Sequence, residues 1–448
     1  MISNLVSDAM RAKGLGALMK GAGMVTRYIP IPQPTLLVGP GASGRLGQAV
    51  AGFGHRKILI VTDSIISKLG LLKGLTDALT AGGAQFVVFD EITADAPIPL
   101  IEKGIEFFEE HRCDAIVAFG GGSSMDASKA IAVAAANPGK RLRQLAGYFK
   151  GLRNPVRIYA VPTTAGTGSE VTVAAVISDT EREKKLVIVD PRMVPKMAAL
   201  DPALMTGLPP HITAATGIDA LTHAIEAFVG NWTTPYSDGM ALSAVGLIFE
   251  NLRTCYTDGK NLPAREKMAL ASTYAGFAFT RANVGYVHAI AHQFGGKYHT
   301  PHGLANAIML PFVLKYSAPS ITERLALLAV RAKVGTEDES SDVLAKKFLD
   351  AVDQLNRDLG IPTFLAALKE EDIPALAKAA CHEAHTGYPV PRYMTQAQCE
   401  NMIRKVLPPK ESTVKKAATP VAKAAAKSAA KPSAKPAAKS ASKRKPAA

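Results

Sequence analysis

From Thr35 to about Asp201 the chain alternates short apolar runs with stretches of helical spacing, and this alternation limits the fold more than any other feature. LLVGPGASGRLGQAV reads as strand, glycine turn and helix. KILIVTD follows as a strand ending at Asp63, with a helix through about Ala81; QFVVFDEI, CDAIVAF, VRIYAV, KKLVIVD and AALDP continue the β-rich series. The central runs have no polar face. A strand apolar on both sides needs cover on both sides, which helices crossing between parallel strands provide. The expectation is an α/β domain with a parallel sheet. After LPPHITAATG the pattern becomes helix upon helix, so the boundary falls near Thr206 and the second domain is read as all-α. The predicted organisation is an N-terminal extension (1–26), an α/β domain (27–205), a helical domain (206–409) and a basic tail (410–448).

At 448 residues the chain can bury two cores. No apolar run approaches the length that crosses a bilayer, so no membrane partner is expected. The opening MISNLVSDAMRAKGLGALMKGAG carries Asp8 and lacks a continuous apolar stretch, which argues against a secretory signal. Cys113, Cys255, Cys381 and Cys399 lie far apart with no CxxC. That spacing suggests neither a disulfide framework nor a thiolate zinc site, and it fits a reducing cytoplasm. The net charge of +14 is unevenly spread: from Lys410 onward ten lysines, one arginine and one glutamate carry +10, leaving +4 elsewhere. The tail has no aromatic residue and is expected to be disordered. Its repeated AK units resemble the basic tails of linker-histone-like proteins. They point either to salt-sensitive contact with nucleic acid or another polyanion, or to a solubilising role.

Four constellations carry chemistry. GGGSS (Gly120–Ser124) lies where CDAIVAF meets a helix, so its amides and the helix dipole suit a phosphate or dinucleotide. It is not GxGxxG, and VGPGASG supplies no convincing alternative. Asp63 at a strand end either accepts ribose hydroxyls, favouring NAD, or caps the next helix. PTTAGTGSEVT (Pro162–Thr172) offers hydroxyls and exposed amides to a ligand, or forms a polar turn. Asp219 and His223 in TGIDALTHAIEAF, and His288 and His292 in GYVHAIAHQFGGKYHTPH, are i,i+4 pairs that share helical faces. With His299 and His302 close behind, one carboxylate and several imidazoles suit Fe²⁺ or Zn²⁺. Spacing alone does not choose among His288, His292, His299 and His302.

GGGSSMDASKA, PTTAGTGSEVT, AATGIDALTHAIEAF and GYVHAIAHQFGGKYHTPHG, in this order, closely resemble the iron-containing (group III) alcohol dehydrogenases over about residues 27–407. The resemblance implies the dehydroquinate synthase-like fold, an active-site cleft between the two domains, NAD and iron (zinc in some relatives), and a homodimer or larger homo-oligomer. It implies Asp219, His223, His288 and His302 as metal ligands, and His292 as a neighbour of the nicotinamide that moves a proton. It further implies Asp63 at the adenosine ribose and Gly121, Gly122 and Ser123 at the pyrophosphate. Thr163, Thr164, Thr167, Thr172 and Lys185 fall around the rest of the dinucleotide. The reaction implied is interconversion of an alcohol and an aldehyde or ketone by hydride transfer. A zinc polyol dehydrogenase, a maleylacetate-reductase-like enzyme and a hydroxyacid–oxoacid transhydrogenase are the related alternatives. A polyanion-binding protein with a decayed enzyme body is the alternative of another class, and four intact motifs argue against it. Arg281 and His299 depart from the family pattern; Arg281 is read as a partner for a substrate carboxylate or phosphonate, or as half of a structural ion pair.

Overall fold

The computed structural model describes Gly21 and residues 29–409. The basic tail, and all of the N-terminal extension but Gly21, lie outside the described residues. In chain order the strands are β1 (Thr35–Val38), β2 (Ile58–Val61), β3 (Phe86–Phe89), β4 (Ala115–Gly120), β5 (Gly147–Tyr148), β6 (Arg157–Pro162), β7 (Ala174–Asp179), β8 (Lys184–Val189) and β9 (Met197–Leu200). Six form one sheet in the order β1-β9-β6-β4-β2-β3, with every pair parallel.

Helices α1 (Ala42–Ala51), α2 (Ser64–Lys68), α3 (Lys73–Ala81), α4 (Ile98–Glu110), α5 (Gly122–Ala136) and α6 (Leu142–Leu145) connect these strands. Side chains alternate across the sheet as the pleat requires. Ile58, Ile60, Val117 and Phe119 join Leu46, Leu75 and Leu79 on one face. Leu59, Val61, Ile116 and Ala118 join Ile101, Phe108 and Ile131 on the other. The absence of a polar face in these runs is thus explained: both sides are core.

The structure corrects two details of the sequence reading. The helix expected to run to Ala81 is split into α2 and α3, because Gly70 adopts φ 68° between them. A second sheet, β5-β8-β7, stands apart from the first, with β7 and β8 antiparallel; AAVISD had not been recognised as a strand.

Among the described residues all regular elements after Leu200 are helical. They include α7 (Pro210–Val229), α8 (Pro235–Thr257), α9 (Leu262–Ala282), α10 (Tyr286–Tyr298) and α11 (His302–Ser317). They continue with α12 (Thr322–Arg331), α13 (Ser341–Asp358), α14 (Ile373–Gly387) and α15 (Gln396–Arg404), and one continuous apolar core serves them all. The described residues through Leu407 form one compact unit.

Candidate functional site

β2 and β4 are neighbours, with Val61 opposite Ala118. From β2 the chain moves outward to β3, and from β4 it moves the other way to β6. A crevice opens at the carboxyl ends where such connections part, and ligands of open α/β sheets bind there. Asp63 stands at one lip. Its Oδ1 accepts the Ile65 and Ile66 N–H groups, each at 2.9 Å, capping α2, while Oδ2 takes no part in the cap. At the other lip Gly121 begins α5 without a side-chain cap, and Gly122 and Ser123 form its first turn. The leading amides of that helix are therefore available to an anion.

The threonine loop lies over this turn. A Cβ on Gly122 would meet Thr167 Cγ2 at 2.7 Å, and one on Gly121 would meet Thr164 at 3.5 Å, so glycine permits the approach. Lys185 reaches the same turn indirectly: its Nζ lies 2.6 Å from Asp95 Oδ1 and 2.8 Å from Ser178 Oγ, while the Asp95 N–H donates to Ser123 Oγ at 3.0 Å. Thr163 and Thr172 are buried beneath the loop. The Thr163 N–H donates to Gly120 O, and Thr172 Oγ1 accepts from Lys129 Nζ. Lys129 went unnoticed in the sequence. Its ammonium donates to Ser169, Thr172 and the Ala174 carbonyl, at 2.8 to 2.9 Å. Burial pulls its pKa down to about 8 against the pull of Asp126 and Glu170.

Three helices build the second half of the site. Asp219 and His223 project from α7, His288 from α10, and His302 from the first turn of α11. Each offers one ligand atom, and these atoms all lie within 4.8 Å of one another. His223 Nδ1 is buried without a hydrogen-bond partner. Burial, reinforced by His223, His302 and His292, holds His288 well below the usual imidazole range; burial takes His302 down to about 4 despite Asp219. Neutral imidazoles around a carboxylate are the form a divalent cation requires, so the donor set fits Fe²⁺ or Zn²⁺.

His292 stands beside the cluster, its ring stacked on that of His302 at 5.3 Å. Burial pulls its pKa down, but the charge and hydrogen bond of Glu383, 2.6 Å from Nδ1, reverse the shift and raise it. Tyr388 Oη and Gln293 Nε2 donate to the same carboxylate. His299 is exposed and ends α10 in the left-handed conformation, φ 54°; it is not among the clustered donors. Arg281 Nη1 donates to the Ile29 carbonyl at 2.9 Å, a neutral backbone partner.

Sequence reasoning missed three further side chains. Glu226 Oε2 lies 2.6 Å from His288 Nδ1, Asn306 donates to Asp219 at 2.7 Å, and Glu383 holds His292. Glu226 is i+3 from His223, and Asn306 is i+4 from His302, so helical spacing contained a signal for both. Glu383 lies ninety-one positions from His292, and no local pattern reveals it.

The two halves touch. A Cβ on Gly166 would come within 2.7 Å of Thr216 Cβ on α7, and one on Gly295 of α10 would lie 3.8 Å from Lys185 Cε. Among the described residues no helix is long and apolar enough to cross a membrane.

Comparison with known proteins adds a third line. The family described as iron-containing alcohol dehydrogenase matches residues 33–202, and the C-terminal Fe-containing alcohol dehydrogenase family matches residues 213–407. Lactaldehyde reductase of Escherichia coli strain K12 is 39% identical over 356 residues, covering 79% of this chain and 93% of that protein. The NAD-dependent methanol dehydrogenase of Bacillus methanolicus is 36% identical, covering 86% of this chain and 100% of that protein. The crystal structure of a 1,3-propanediol oxidoreductase superposes with a TM-score of 0.81 at 38% identity, covering 84% of this chain and 99% of that one.

Proposed function

Since the chain belongs to the iron-containing alcohol dehydrogenase family, we propose that Asp219, His223, His288 and His302 hold its metal and that the strand-end crevice holds its dinucleotide. The enzyme is a metal-dependent oxidoreductase that interconverts an alcohol and an aldehyde or ketone by hydride transfer with NAD(H). Residues 27–205 carry the cofactor in this reading and residues 206–409 the metal. The observation that carries it is the convergence of four donor atoms from three helices within 4.8 Å.

The bound metal supplies Lewis-acid stabilisation of negative charge developing on the substrate oxygen. The protein does the rest. Asp63 receives the adenosine ribose through the oxygen its helix cap leaves over, and its charge repels a 2′-phosphate. The Gly121, Gly122 and Ser123 amides take the pyrophosphate. Thr163, Thr164, Thr167, Thr172 and Lys185 shape the remaining wall, with Thr163 and Thr172 acting from below. Glu383 keeps a proton on His292 Nδ1, so Nε2 is the atom that accepts or returns the alcohol proton.

The relatives named above act, by their names, on lactaldehyde, methanol and 1,3-propanediol; we take the substrate to be a similarly small alcohol or aldehyde. We also take the enzyme to be a cytoplasmic homo-oligomer, with no disulfide among the described cysteines, and residues 410–448 to contact a polyanion. The test is a panel of small substrates followed at the NADH absorbance, using chelated enzyme restored with Fe²⁺ or Zn²⁺. Chelation should abolish turnover and one of the ions should restore it. Turnover indifferent to chelation and to His288→Ala would overturn the ligand assignment.

A further inference from the structure

Three N–H groups converge on one buried carboxylate beside the metal cluster. Glu226 Oε2 accepts the Gly285 N–H at 2.8 Å and lies 2.6 Å from His288 Nδ1; Oε1 accepts the Val287 N–H at 2.7 Å. α10 has no side-chain cap of its own at Gly285, so Glu226 satisfies amides at the start of that helix from a neighbouring one. The bond to His288 has a different consequence. Burial raises the Glu226 carboxyl to about 7 against its N–H donors; once ionised it only accepts, so the proton of a neutral His288 then resides on Nδ1 and the lone pair on Nε2. Nε2 is the atom that faces Asp219, 3.9 Å from Oδ1. From the opposite side the fully buried Asn306 brings Nδ2 to 2.7 Å from that same Oδ1 and 3.1 Å from His288 Nε2.

We propose that Glu226 is a positioning residue for the metal, holding His288 in the tautomer and orientation that present Nε2 to the cation. The inference rests on His288 being a ligand, as assigned above. Glutamine at position 226 keeps the shape but offers His288 at best a neutral acceptor in place of a carboxylate, which lowers the basicity of the ligand nitrogen. One end of its amide is an NH₂, so no orientation accepts all three N–H groups. If the NH₂ faces His288, the imidazole must accept at Nδ1 and carry its proton on Nε2; if it faces Val287, that amide loses its acceptor.

The experiment measures Zn²⁺ affinity of the chelator-stripped full-length protein above neutral pH, by competition with a coloured chelator, for wild type, Glu226→Gln and His288→Ala. NADH binding and melting of the metal-free protein are followed in parallel. Glu226→Gln should raise the Zn²⁺ Kd by roughly 10–100-fold and leave NADH affinity unchanged. If His288→Ala leaves the Kd unchanged, the ligand assignment falls and takes this inference with it. If His288→Ala weakens binding but Glu226→Gln does not, the inference alone is overturned, and a lowered metal-free melting temperature then assigns Glu226 to helix capping only. Should Glu226→Gln fail to fold, ¹⁵N spectra of the metal-free wild type decide: an Nδ1–H signal absent from His288→Ala supports the proposal, and an Nε2–H signal overturns it.

Discussion

His288 and His292 are one helical turn apart, yet their second nitrogens meet different acids. His288 meets Glu226 of α7, and His292 meets Glu383 of α14. The first lies in the four-donor cluster and the second does not. Substitution should separate them. His292→Ala is expected to retain bound metal, measured by elemental analysis, while kcat falls by on the order of 10²-fold; loss of metal from that variant would make His292 a ligand. The sequence displayed both i,i+4 pairs, because helical periodicity is local information. It did not display which imidazole joins the four-donor cluster, because that depends on Asp219 and His302 arriving from other helices. Glu383 was illegible for the same reason, being brought to His292 by tertiary packing alone.

Helix α11 begins with His302, and Gly303 presses that helix onto α7. A Cβ at position 303 would sit 2.5 Å from the Ala215 carbonyl oxygen and 3.3 Å from Asp219 Cβ. Backbone cannot yield as a side-chain tip does, so α11 would have to move, carrying His302 away from Asp219. Gly303→Ala should cost about 1–3 kcal/mol of stability, read as a lower melting temperature, and should weaken Zn²⁺ binding. An unchanged melting temperature and an unchanged Kd would show that the two helices have slack. At this scale much was legible in the sequence: doubly apolar runs announced the parallel sheet, and its six-stranded order bears that out. The split between α2 and α3 was not, since Gly70 in a left-handed turn looks like any glycine until its φ is known. β7 escaped because half of it is only partly buried, so it lacks the doubly apolar signature of the core strands.

For the whole molecule, charge and chemistry separate along the chain. Ten lysines beyond residue 409 carry most of the net charge, while both family matches end by residue 407. Deleting residues 410–448 should leave kcat/KM for the small alcohol within about twofold and abolish retention on an immobilised polyanion at low salt. A large fall in activity would tie the tail to the catalytic body. The parallel sheet also has a history written into its pairing. β1 is the first of its strands to leave the ribosome, but its partner β9 lies 162 positions later, with Thr35 opposite Met197. Through the intervening synthesis β1 has no partner in this sheet. Pairing over such a separation is slow, and an unpaired strand invites the wrong neighbour. The first strand made is therefore one of the last that can be paired, and until residue 200 is made its edge stays open to the wrong neighbour.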